Sequence, residues 1–170
     1  MSEGRQTVPR DTRWSELAAL ECARLATMSG GAEHIGSTAV PGVGGLDHHV
    51  IDLLVGVRML DRRADQVVSA LGGLGYEKTS SRMPGAVALK KRGAIDYDVF
   101  LVELGGREWK RATALRDYLR RHGDDARTYA RGLREAMAAG DEEKFEEAKQ
   151  ALIALFTHRA EKWRLTHPRD

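Results

Sequence analysis

The sequence predicts an α+β fold: a small mixed β-sheet flanked by helices, followed by a helical C-terminal region. Three observations carry that reading. Residues 50 to 57 form a near-continuous apolar run of strand type, as a central strand buried on both faces requires. Three strand-like pieces then follow one another between residues 76 and 103 with no helix between them, which implies antiparallel pairing. From Gly106 onward the apolar residues recur only at helical spacing.

In chain order, residues 1 to 10 are a polar lead-in. Trp14, Leu17, Ala18, Cys22, Leu25 and Met28 then share one helical face, with Asp11 or Thr12 as the N-cap and Gly30-Gly31 as the stop. A short strand ends at Ile35 and runs into Gly36-Ser37-Thr38, and residues 39 to 49 hold three glycines and a proline and read as a loop. After the central strand, Ala64, Val67, Val68, Leu71 and Leu74 mark a helix over residues 61 to 74, closed by Gly75. Strands are expected over residues 76 to 80, 86 to 92 and 95 to 103, with turns at Pro84-Gly85 and Gly93-Ala94. Three C-terminal helices follow, the second capped by Asp124 or Asp125 and the third by Asp141. The expected division is an α/β unit over residues 11–105 with a helical region over 106–166 packed on it.

Composition narrows the function classes. Of 170 residues, 42% are hydrophobic and 31% charged, enough apolar material for a core in an ordinary soluble balance. A net charge of +2 is too small to imply nucleic acid, and the aromatic residues sit in the apolar stripes and not between the arginines. One cysteine, Cys22, rules out an internal disulfide and a cysteine-based zinc site, and its place on an apolar stripe makes it a small core residue. No apolar run approaches the roughly 20 residues of a membrane span, and Met1 to Arg5 leads into no signal segment, so a cytoplasmic protein is expected.

Four groups carry candidate chemistry. Gly36 lets backbone approach a ligand, while Ser37 and Thr38 add hydroxyls and successive N–H groups suited to an anion; a plain strand-to-helix cap is the competing reading. Asp52 stands inside the apolar central strand, where a carboxylate needs a partner, a metal or an open strand end. Asp98 stands in the equally apolar Tyr97 to Leu101 stretch; paired with Asp52 it would hold Mg²⁺ or Mn²⁺ against a phosphate, whereas Asp96 reads as a turn residue. Asp47-His48-His49 offers imidazoles for Zn²⁺, Mn²⁺ or Fe²⁺, with at most one histidine on the side of Asp52. His34, two residues before the turn, orients a ligand or packs at the strand end. Arg92 lies on a strand edge, and Arg116 and Arg120 share a helix face from which they could close over an anion, a solvated basic face being the alternative.

His34 to Gly42, then Ile51-Asp52-Leu53-Leu54-Val55, then Leu115-Arg116-Asp117-Tyr118-Leu119-Arg120 resemble the GrpB family, and the similarity extends through Tyr129, Arg134 and Phe145 to Ala160. The resemblance covers roughly residues 12 to 165 and implies a nucleotidyltransferase-like fold with a C-terminal helical part. In that wider superfamily a Gly-Ser turn precedes an Asp-x-Asp pair and a third acid on a later strand. Here Gly36-Ser37 and Asp52 match, Leu54 replaces the second acid, and Asp98 is placed to supply the third. Family members usually carry Lys-Pro where this chain has Asp47-His48-His49, and His-x-His where it has Asp98 and Phe100. The resemblance therefore implies a nucleotidyltransferase-type pocket on a nucleotide or other anionic small molecule, rebuilt and metal-assisted. The alternative is a non-catalytic nucleotide- or protein-binding module with a degenerate site.

Overall fold

A computed structural model describes residues 13–44 and 50–169. The chain runs α1 (Arg13–Ala26), β1 (Gly31–Ile35), a 3-10 turn (Ser37–Ala39), β2 (Val50–Val57), α2 (Leu60–Gly72), β3 (Glu77–Thr79), β4 (Val87–Lys91), β5 (Asp96–Glu103), α3 (Arg107–Arg121), α4 (Gly123–Ala138) and α5 (Glu142–Thr166). The strands form one mixed sheet in the order β1-β2-β5-β4-β3. The central pair β2/β5 is parallel, and the other three pairings are antiparallel. β2 covers the predicted apolar run, because a strand buried on both faces declares itself by composition alone. β3 keeps only three exposed residues, as an edge strand with one neighbour and no buried face.

Strand alternation separates two cores. Ile51, Leu53, Val55, Val57, Tyr97, Val99 and Leu101 join Trp14, Leu25 and Leu71 of α1 and α2 on one face of the sheet. Each fully buried leucine or isoleucine there contributes about 1.5–3 kcal/mol relative to exposure. On the other face Ile35, Leu54 and Val102 pack with Phe100, Met83 and Trp109. The Leu104 side chain and the Trp109 ring of α3 lie so close over Gly56 that a Cβ there would clash with both, which lets α3 approach the sheet. A third core joins α3, α4 and α5 through Tyr118, Leu133, Phe145 and Phe156, and it takes in Val40 and Val43 from the segment after the 3-10 turn. No helix among the described residues is long and apolar enough to cross a membrane.

The helix caps divide. Asp141 accepts from Lys144 N at 3.1 Å and caps α5 as predicted. α4 begins one residue earlier than the predicted cap, at Gly123, so Asp124 and Asp125 fall in its first turn. Asp125 is drawn there by Tyr118 Oη at 2.5 Å and Arg159 at 2.9 Å. Asp11 and Thr12 lie outside the described residues. Cys22 packs half-buried against the α1 core, where burial pushes its thiol up to about 11.

One polar cluster sits within the first core. Glu21 Oε1 accepts from Tyr76 Oη and from Lys91 Nζ, both at 2.7 Å, and the ammonium lies 4.7 Å from the Tyr76 ring centroid. Burial pushes the Glu21 carboxyl up, but the hydrogen bonds from Lys91 and Tyr76 and the Lys91 charge outweigh it, leaving the group below its ordinary value. A carboxyl lowered in the folded state stabilises above its unfolded value and loses that contribution as pH falls through the folded one. Glu21→Gln is therefore expected to lose about 1–3 kcal/mol at neutral pH. The gap to wild type should close below about pH 4, the range in which the unfolded carboxyl protonates. Urea denaturation of both proteins across that range measures it, and a pH-independent gap would refute the assignment.

Candidate active site

β1 delivers the chain into the Gly36 turn, and β2 returns antiparallel beside it, with Ile35 opposite Asp52. Gly36 has φ 75°, a left-handed conformation that glycine adopts freely, and a Cβ there would run into the Asp52 carboxylate. The turn and Asp52 are therefore in contact. The 3-10 turn closes through Ala39 N to Gly36 O at 3.1 Å and Val40 N to Ser37 O at 3.2 Å. Ser37 remains partly accessible. Thr38 is buried, its hydroxyl 2.8 Å from His34 Nε2, so these two side chains meet each other within the turn.

Across the central pair, Asp52 stands directly opposite Asp98 in the parallel register. Residues so paired project to the same face, and it is the face on which Leu54 and Phe100 pack towards α3. Arg92 donates to Asp98 Oδ1 at 2.6 Å, and Asp96 accepts from Gly93 N at 3.0 Å in the β4–β5 turn. The helical region reaches the same place. Burial, and then the charge of Asp52, push the Tyr129 hydroxyl of α4 well above the ordinary phenol range. The sequence marks Tyr129 as part of an apolar stripe and of the family resemblance, and assigns it no place at the site.

Arg116 and Arg120 do share a helix face, and that face is turned on the segment leading through the turn. Arg116 is 5% exposed; it donates to Glu33 Oε2 at 2.5 Å, to His34 O at 3.1 Å and to Asp117 Oδ1 at 2.7 Å. Arg120 Nε donates to Ala39 O at 2.8 Å. Arg116 is thereby a brace behind the turn, its donors engaged by protein oxygens. Two further arginines complete the network: Arg164 meets Asp117 Oδ2 at 2.6 Å, and Arg169 meets Glu33 Oε1 at 3.0 Å. Residue spacing gives no sign of the pairs Arg116–Glu33, Arg164–Asp117 and Arg169–Glu33, whose members stand 83, 47 and 136 residues apart.

His48 and His49 lie outside the described residues, as does Asp47. Among the described residues no three His, Cys, Asp or Glu side chains gather as a metal-binding group. The two carboxylates that face each other are oxygen donors, a set suited to a hard divalent cation.

The chain is thus an α+β protein with a parallel central pair, an acid on each of its strands, a Gly-Ser turn beside them and a helical C-terminal region. The profile of the family described as GrpB protein matches residues 6–159. The chain belongs to the GrpB family. It is 30% identical over 168 residues to a UPF0157 protein of Pseudomonas aeruginosa, covering 91% of this chain and 67% of that one. The crystal structure of the conserved protein GrpB from Enterococcus faecalis superposes with a TM-score of 0.79 at 26% identity, over 94% of this chain and 99% of that one. The Cid1 poly(U) polymerase with bound Mg and 3'-dATP superposes less closely, with a TM-score of 0.48 at 20% identity over 76% of this chain and 42% of that one.

Arg116→Met leaves Glu33 and Asp117 short of a buried partner and should cost about 3–5 kcal/mol. Arg169→Ala, at an arginine 41% exposed, should cost about 1 kcal/mol or less; equal losses for the two in urea denaturation would contradict this ranking. Gly36→Ala should cost at least about 1–3 kcal/mol through left-handed strain and the clash with Asp52. Part of that loss should be recovered in an Asp52→Ala background, and strict additivity in the double-mutant cycle would argue against the contact.

Proposed function

We propose that this protein is an enzyme acting on a nucleotide or another anionic small molecule in the pocket formed by the Gly36 turn, Asp52 and Asp98. The observation that carries the reading is the in-register opposition of Asp52 and Asp98 beside that turn. Ser37 and the N–H groups that open the 3-10 turn would take phosphate oxygens, since the first N–H groups of such a turn have no partner within it. Behind the turn, three guanidiniums (Arg116, Arg164, Arg169) face two carboxylates (Glu33, Asp117), and the surplus positive charge favours an anion in front. Exposed Arg120 and Arg92 stand at the margins as charge clamps.

Asp52 and Asp98 would hold a divalent cation of the Mg²⁺ or Mn²⁺ kind. The cation's contribution would be to neutralise charge on the transferring group. Alternatively, Asp52 would act as the base for a nucleophile bound beside Ser37. Zn²⁺ or Fe²⁺ belongs to a variant of this reading in which His48 or His49 joins Asp52. A cytoplasmic setting suits a substrate of this class.

A second reading has one specific observation in its favour. Leu54, at the place of the superfamily's second acid, is fully buried under α3, and Arg92 occupies one Asp98 oxygen. A site so reduced would bind a nucleotide or a partner protein without turning it over. Thermal shift with nucleoside triphosphates and Mn²⁺ separates the readings when joined to a turnover assay. The enzyme reading expects stabilisation of the wild type, its loss in Asp52→Asn and Ser37→Ala, and product release. Stabilisation without turnover supports the binding module, and no response to nucleotide or metal overturns the enzyme reading.

A further inference from the structure

At the other end of β2 from Asp52, a cavity of about 530 Å³ opens between the α1–β1 connection and α2. Arg58, Arg63, Gln66 and Ser29 supply its polar lining, and Val57 and Val67 part of its apolar floor. Val57 lies five strand rises from Asp52, roughly 16 Å, so this cavity is distinct from the candidate active site.

Three features mark this corner. Arg58 and Arg63 are exposed and form no ion pair among the described residues, so both guanidiniums are available to a ligand. Arg63 lies near the start of α2, where a cation opposes the helix dipole and costs stability. Asp61 and Asp65 cannot compensate it, because each sits two residues away and so about half a turn round the helix. Met59, between Arg58 and α2, is the only non-glycine residue with positive φ among the described residues (φ 58°, ψ 61°). Such strain persists where the surroundings impose it, and it clusters at ligand sites. The adjacent acid, Glu103, is already engaged: its carboxylate accepts from Met59 N at 3.2 Å and Leu60 N at 2.8 Å.

We propose that this cavity is a second binding site, for a small phosphate-bearing molecule. The guanidiniums of Arg58 and Arg63 take the phosphate as paired donors. Gln66 and Ser29 contact polar groups next to it, and the apolar body of the ligand lies on Val57 and Val67. The volume falls within the range of small-molecule sites.

The test is a backbone-amide NMR titration of the full chain with adenosine 5'-monophosphate, with adenosine and sodium chloride at matched ionic strength as controls. Saturable shifts are expected at Thr27 to Gly30 and in the first turns of α2 with the monophosphate alone. Arg58→Ala/Arg63→Ala should weaken them at least about tenfold, the loss of one or two charge-assisted hydrogen bonds. The single change Arg63→Gln, at an exposed helix position, provides the same reading if the double variant folds poorly. Asp52→Asn should leave these shifts intact, which separates this site from the proposed active site. No saturable shift at these amides, shifts that sodium chloride reproduces, or shifts that survive loss of both arginines would each overturn the proposal.

Discussion

The buried guanidinium of Arg116 ties together what would otherwise be separate parts of this molecule. It comes from α3, in the helical region, yet its donors are spent on Glu33 and the His34 carbonyl of β1 and on Asp117 beside it. β1 is an edge strand with one neighbour, so ladder hydrogen bonds fix it along only one side. The Arg116 network supplies restraint on that strand just before it enters the Gly36 turn. A buried cation is tolerable only when carboxylates and carbonyls surround it, which is why two acids and two further arginines assemble at this point.

The geometry of the candidate site then depends on register. β2 and β5 are separated in sequence by α2, β3 and β4, and their parallel pairing brings Asp52 opposite Asp98. A slip of one residue in that pairing would turn one strand over relative to the other, sending one of the two carboxylates into the α1 core and parting the pair. The apolar residues that alternate with the acids therefore fix the position of the acids. Val40 and Val43 act in the same sense on the far side of the turn, since they anchor in the core of α3, α4 and α5. The turn is held at one end by charge and at the other by hydrophobic contact.

Much of this was legible in the chain. Val50–Val57, the order of the elements and the Asp141 cap follow from local composition and spacing, which act over a few residues and leave periodic traces. Gly36 was legible for a similar reason, since a Gly-Ser turn after a strand needs a conformation that few other residues accept. Arg116 shows where such reading stops. Its helix face was evident, but the identity of what that face meets is a property of how α3 is laid against β1. The sequence marks Thr38 as a hydroxyl for a ligand, and only the folded chain shows that hydroxyl meeting His34.

The sequence by itself determined the α+β class, the two acids on central strands and the turn beside them, because periodicity and turn chemistry are local. Only the tertiary structure decided that Asp52 faces Asp98, that Tyr129 comes over from α4, and that Arg116 braces from behind. Those facts rest on contacts between residues tens of positions apart, and the packing of the sheet and helices, not the spacing of residues along the chain, selects them.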